Sequence, residues 1–196
     1  MPNWVTNSVG VHGSEDDVKA FIEKAGKPRP NLEGGEVVME SDREFSFWNF
    51  VAPPEDKWEL YFGTSGYVNG EKVGDPQYNW YGWNLSNWGC KWDASAIEVD
   101  YQVGFASIRF DTPWDAPREI IEAIARQHKE LVINWDFEEE QGWGGEVYID
   151  KGVASWEEWD IPDSHAEYDK RGNECPCEWA DDFRFDDCPE KKVEVK

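Results

Sequence analysis

His165, Cys175, Cys177 and Cys188 place four soft ligands in the C-terminal part of the chain, the donor set that tetrahedral zinc takes. Their spacing argues the other way. One residue separates Cys175 from Cys177, ten separate Cys177 from Cys188, and Pro176 stiffens the bite. Persuasive zinc ribbons use a two-residue knuckle. The expectation is no cofactor, with zinc as the exception these ligands would allow. The second group is Trp80, Trp83, Trp88 and Trp92, with Asn87 and Lys91 between them. It reads either as an aromatic platform for a base, a sugar or a peptide, or as a small core that folds a long irregular segment back on itself. The third is a set of carboxylate runs: Glu138, Glu139, Glu140, Glu157, Glu158, Asp181, Asp182, Asp186 and Asp187. Neighbours along a strand point to opposite faces, so these runs do not converge on one metal or acid–base centre and read as acidic surface.

Other chemistry lacks its signatures. The three histidines, His12, His128 and His165, have no G-x-S-x-G nucleophile elbow to serve. Neither a G-x-x-x-x-G-K-[ST] nor a G-x-G-x-x-G phosphate loop occurs, and no EF-hand loop. The expectation is a protein that is not an enzyme.

The 196 residues carry 42 acidic and 19 basic side chains, a net charge of −23. That charge repels nucleic acid and anionic membranes and suits a basic protein surface. It is concentrated: from Asp136 to Glu190 there are 19 acidic and 4 basic residues. The 13 Trp supply large buried areas, so most of the chain should fold. No apolar run is long enough to span a bilayer. Met1-Pro2-Asn3-Trp4 does not open a secretory signal. Thiols rather than disulfides, and a cytoplasmic location, are expected.

The elements that must position these residues follow from periodicity. Trp4–Val11 reads as a strand. Ser14 caps a helix whose Val18, Phe21, Ile22 and Ala25 share one face, ended by Gly26 and Pro28. Residues 27–36 read as loop. Strand signals return at Val37–Met39 and Phe45–Val51, and Pro53-Pro54 stops them. Residues 55–94 form a Trp-rich insertion. Ile97–Tyr101 and Val103–Phe110 read as strands, with Gly104 as a bulge. Asp115 caps a second helix carrying Ile120, Ile121, Ile124, Ala125 and His128. Leu131, Ile133, Trp135 and Phe137 alternate as a strand, and Glu146–Ile149 and Val153–Trp156 form a hairpin through Asp150-Lys151-Gly152. The order is βαββαβ with extra C-terminal strands: an α+β, ferredoxin-like antiparallel sheet with helices on one face. It occupies residues 1–160, and 161–196 is an acidic, partly irregular C-terminal extension.

Three segments carry a resemblance. Met1-Pro-Asn-Trp-Val-Thr-Asn7, Phe45-Ser-Phe-Trp-Asn-Phe-Val-Ala-Pro-Pro54 and, above all, Tyr78-Asn-Trp-Tyr-Gly-Trp-Asn-Leu-Ser-Asn-Trp-Gly-Cys-Lys-Trp-Asp-Ala94 are similar to the YubB-type ferredoxin-like domain family of phage and plasmid proteins. Phe45–Pro54 resembles that family's second strand and proline turn. Thr112–Pro117 resembles the entry to its second helix. Cys90 stands where the family carries Thr. The resemblance covers about residues 1–160. It implies a phage or mobile-element origin and a ferredoxin-like topology, and it implies no catalysis.

The function expected is that of a non-enzymatic accessory protein binding a host protein with a basic surface. Its most specific form is an acidic, nucleic-acid-mimicking inhibitor of a host defence system, with no direct nucleic-acid or membrane binding. It requires carboxylates in rows on one contiguous surface, at spacings near those of duplex phosphates. Two alternatives stand beside it. One is a small-ligand or nucleotide-binding module using the Trp-rich insertion, which requires an open pocket lined by those rings. The other is a zinc-stabilised structural protein.

Overall fold

The computed structural model describes residues 2–33, 36–63, 66–68, 71–73, 77–172 and 188. In chain order the elements are β1 (Trp4–His12), α1 (Glu15–Ala25), β2 (Arg29–Glu33), β3 (Glu36–Glu40), α2 (Trp58–Phe62), β4 (Gly66–Val68), β5 (Glu71–Val73), α3 (Trp80–Asn87), β6 (Ser95–Gln102), β7 (Phe105–Pro113), α4 (Arg118–Gln127), β8 (Val132–Glu139), β9 (Gly144–Asp150), β10 (Val153–Trp159) and α5 (His165–Arg171), with short 3-10 turns at Phe47–Asn49 and Glu55–Lys57. Six strands form one antiparallel sheet in the order β10-β9-β8-β1-β7-β6. The path β1-α1-β6-β7-α4-β8, lying side by side as β8-β1-β7-β6, is the ferredoxin-like split βαβ arrangement. β9 and β10 extend it at one edge.

The periodic elements fold as their patterns dictate. The Ser14 side chain accepts from the Asp17 amide, and Val18, Phe21 and Ala25 are buried. Ile120, Ile121, Ile124 and Ala125 of α4 are fully buried. Together these helical faces cover Val5, Val9 and Val11 of β1, Ala106, Ile108 and Phe110 of β7, and Ile133, Trp135 and Phe137 of β8. Each large apolar side chain buried in this way contributes about 1.5–3 kcal/mol. The β9–β10 turn places Lys151 and Gly152 both at positive φ, which matches the twist of a tight hairpin.

Four expectations are corrected. Residues 29–33, read as loop, pair with 36–40 in a hairpin outside the main sheet. Phe45–Val51 is not a strand. It is a buried connection with a 3-10 turn, in which Phe45 stacks on Phe110 at 5.1 Å and Phe47 meets Phe110 edge-on at 5.6 Å. Its backbone is satisfied from elsewhere: the Ser46 amide donates to Ala25 O and the Phe47 amide to Asp93 Oδ1. The second strand of the skeleton is therefore β6, and the insertion follows α1 rather than the second strand. Gly104 (φ +75°) belongs to the tight turn joining β6 to β7, and the register shift lies between Ser95 and Glu98. Finally, Asp115 does not cap α4. Its Oδ1 accepts from the Ala116 amide, and Pro117 (φ −80°, ψ 67°) itself stands outside the helical region, so the helix begins at Arg118.

Under the helices runs a buried polar bridge. Asn7 is fully buried on the central strand. It accepts from Trp135 Nε1 at 3.0 Å and donates to Thr112 Oγ1 and Val5 O, each at 3.0 Å. One amide thus ties β1 to β7 and β8. A second constraint is Gly89, at φ +82°, where a Cβ would come within 2.9 Å of the Arg118 amide nitrogen. A third is His128 at the end of α4, whose ring meets Phe21 and Phe50.

Asn7→Ala is expected to destabilise the fold by about 3 kcal/mol, because it strands the Trp135 donor; urea unfolding of Asn7→Ala, Trp135→Phe and the double variant should show coupling between the two sites. Gly89→Ala, forced into a strained conformation against backbone, should cost about 2 kcal/mol or more by the same assay. Burial, then Lys24, lowers the His128 pKa, against the opposing pull of Glu130. The unfolded chain therefore binds the extra proton below about pH 6.5, and this residue's stabilising contribution is lost as pH falls through that value toward the lower folded pKa. His128→Gln should flatten the wild-type fall in thermal midpoint between about pH 7 and 5.

Candidate functional site

Helices cover one face of the sheet, and the other carries charge. Strand register places Glu98, Arg109, Ser8, Asp136, Glu146 and Glu157 side by side across all six strands, and all six side chains are exposed. A parallel row holds Asp111, Thr6 and Glu138, and another begins with Asp100 and ends at Tyr148 and Ser155. Arg109 is the one Lys or Arg at these strand positions. Adjacent strands lie about 4.8 Å apart, and same-face residues along a strand about 6.7 Å, so the carboxylates form a grid. At one end Trp4, Trp159 and Tyr168 help wall a cleft of about 1080 Å3 that also takes in Asp136, Glu138 and Glu140. Burial pushes the Asp136 carboxyl above its ordinary value.

The acidic runs divide between faces as strand geometry requires. Glu138 and Glu157 belong to the grid. Glu140 is exposed and its carboxylate lies 3.4 Å from the Trp4 amide. Glu139 is corrected: it is only 3% exposed and is a structural anchor, accepting from Asn3 Nδ2 at 2.6 Å and from the Gln141 amide at 2.7 Å. Glu158 points to the helical side, where it pairs with Arg118 of α4. Asp181, Asp182, Asp186 and Asp187 lie outside the described residues.

The Trp-rich motif is split between core and rim. Trp88 is 1% exposed, edge-on to Phe47, and its Nε1 donates to Val51 O at 2.8 Å. Trp83 stacks on Tyr78, and Trp80 and Trp83 are half-buried against the core. Trp92 is 39% exposed, with Lys91 Nζ 4.5 Å from its ring centre. Asn87 only closes its own helix, donating to Trp83 O. The buried amide is Asn84, which accepts from the Tyr61 hydroxyl and donates to Lys91 O. Cys90 is buried, and that burial pushes its thiol well above the ordinary value.

Between Trp80, Trp88, Trp92 and Phe62 opens a pocket of about 740 Å3, into which Arg29 and Arg43 also reach. Asp93 organises it. Its carboxylate accepts from Ser46 Oγ and the Phe47 and Ala94 amides, and it lies 3.6 Å from Arg29 Nε and 3.8 Å from an Arg43 nitrogen. Residue type alone did not single out Arg29, Arg43 or Asp93, because no local spacing links positions so far apart. Trp114, held at φ +73° and 55% exposed, was also missed.

Of the soft ligands, His165 is buried at the start of α5 with Nε2 3.5 Å from Asp169, and Cys188 is buried as a free thiol. Cys175 and Cys177 lie outside the described residues. Among the described residues no group of three or more His, Cys, Asp or Glu side chains is placed to hold a metal ion, and no helix is long and apolar enough to cross a membrane.

No curated protein matches the sequence. The fold resembles the crystal structure of protein Api92 from Yersinia pseudotuberculosis, with a TM-score of 0.52 and 10% identity over 83% of this chain and 99% of that one. Residues 87–175, from the end of the Trp-rich motif through α5, match the family described as the ferredoxin-like domain in Api92-like protein.

Proposed function

We propose that the protein is a non-catalytic binding module whose open sheet face docks a basic surface on a partner protein. The observation that carries this reading is the exposed row Glu98, Arg109, Ser8, Asp136, Glu146, Glu157, four carboxylates with one guanidinium and one hydroxyl in register on one face. Acids also occupy the helices, where Glu15, Asp16 and Asp17 serve the first turn of α1. Those are local helix chemistry; the carboxylates of the grid are instead gathered from separate strands by register. A concentrated field of one sign speeds encounter with a basic partner and selects against acidic ones.

The narrower form of the proposal is mimicry of nucleic acid. A partner that normally holds a phosphate backbone would meet carboxylates in its place. The phage and plasmid resemblance supplies the setting, a host cytoplasm and a host defence or nucleic-acid-handling protein. The grid is two-dimensional, whereas a duplex presents two rails of phosphate, so a broad basic face fits it better than a narrow groove.

Affinity capture from host lysate at low salt, with a salt-step elution, tests the proposal. A basic protein held by the wild type should lose at least ~10-fold in affinity to the triple variant Asp136→Lys, Glu146→Lys, Glu157→Lys. It should keep its affinity for the control Asp16→Lys, Glu23→Lys. Equal retention of the partner by both variants would refute the docking face. Displacement of bound duplex DNA from the partner by the wild type would establish the mimicry form.

A further inference from the structure

We infer that the pocket lined by Trp80, Trp88 and Trp92 is a binding site for a flat aromatic ligand bearing one anionic group, with a nucleoside monophosphate as the best-fitting class. It shares no residue with the carboxylate grid, so the two proposals stand or fall separately. The pocket measures about 740 Å3, within the range of sites that enclose small organic ligands. Its walls are indole and phenyl rings, which stack on a base or another planar ring. Trp88 is locked by its hydrogen bond to Val51 O, while Trp92 at the rim remains 39% exposed. One wall is therefore fixed and one is accessible, which is the condition for stacking without rebuilding the core.

The charge in the pocket runs against the rest of the molecule. In a chain of net charge −23, two of its 19 basic residues line this one pocket, and Asp93 is the one carboxylate among its lining residues. Asp93 is largely committed to Ser46 and to the Phe47 and Ala94 amides. Its separations from the guanidinium nitrogens, 3.6 and 3.8 Å, are too long for hydrogen bonds. Arg29 Nε is buried and has no hydrogen-bond acceptor among the described residues. A guanidinium carries five N–H donors, and burying one unpaired costs free energy that an incoming anion would recover. The planar fork of Arg suits phosphate or carboxylate oxygens. Arg29 is tied on its other side to Glu40 at 2.8 Å, and Arg43 to Ala94 O, so both heads are oriented before a ligand arrives. A neutral ring gives the guanidinium pair no partner.

Isothermal titration of the full chain with adenosine 5′-monophosphate, guanosine 5′-monophosphate, adenosine, inorganic phosphate and 4-hydroxybenzoate tests the site. Saturable binding of an aromatic anion is expected, with adenosine and phosphate each at least ~10-fold weaker, because each offers only half of the recognition. The nucleotide and the benzoate separate the two sources of the same chemistry, and the tighter names the class. Arg43→Gln and Trp92→Ala should each weaken binding ~10-fold or more, with circular dichroism melts checking the fold. Should Arg43→Gln unfold, the rim variant Trp92→Ala still decides. Absence of saturable binding up to about 1 mM for every aromatic anion, or affinity unchanged in Trp92→Ala, would overturn the inference.

Discussion

A single buried carboxylate joins the two parts of this molecule. Asp93 stands two residues before the start of β6, and its side chain is 7% exposed. From there it receives the Ser46 hydroxyl and the Phe47 amide, which begin the aromatic connection over β7, and it faces Arg29 and Arg43 of the segment before it. Remove it and Arg43 loses its carboxylate partner and Arg29 keeps only Glu40, while Phe45 and Phe47 lose the backbone anchor that seats them against Phe110. Buried charge is tolerated only when surrounded by partners of this kind. The insertion therefore does not dangle from the ferredoxin-like skeleton. Its aromatic side chains are part of the same core.

The distribution of charge follows from the same geometry. Residues facing the helices must be apolar or fully satisfied, as Asn7 and Glu139 are. Acids could accumulate only where water reaches them, as at the exposed positions of the sheet face. Basic residues were then used sparingly and locally: Arg118 against Glu158 and over the Phe137 and Trp156 rings, Arg29 and Arg43 against Asp93.

How much of this was legible in sequence depended on whether the information was local. α1, α4, β1 and β8 were readable because their apolar spacing is set by helical or strand period within one element. The ferredoxin-like order was readable for the same reason. Phe45–Val51 misled because dense aromatics imitate a strand when the chain is in fact packing every one of them inward. The grid could not be read, since Glu98, Arg109, Ser8, Asp136, Glu146 and Glu157 become neighbours only through register across five strand pairs. Adjacent Glu138 and Glu139 looked equivalent in sequence and are separated by the thickness of the sheet. The Trp motif was visible as a unit, but its arginine partners were not, because they come from the far side of the insertion.

β1 is made before both of its neighbours yet sits inside the sheet, between β7 and β8. Ser8 pairs with Arg109 on one side and Asp136 on the other. This strand must wait, with both edges unpaired, until β7 and β8 have emerged. Until then Val5, Val9 and Val11 have no lasting cover, and an unpaired apolar strand is the form most prone to join another chain. Such a topology ties successful folding to the pace of synthesis and to whatever shields the nascent β1 in the meantime.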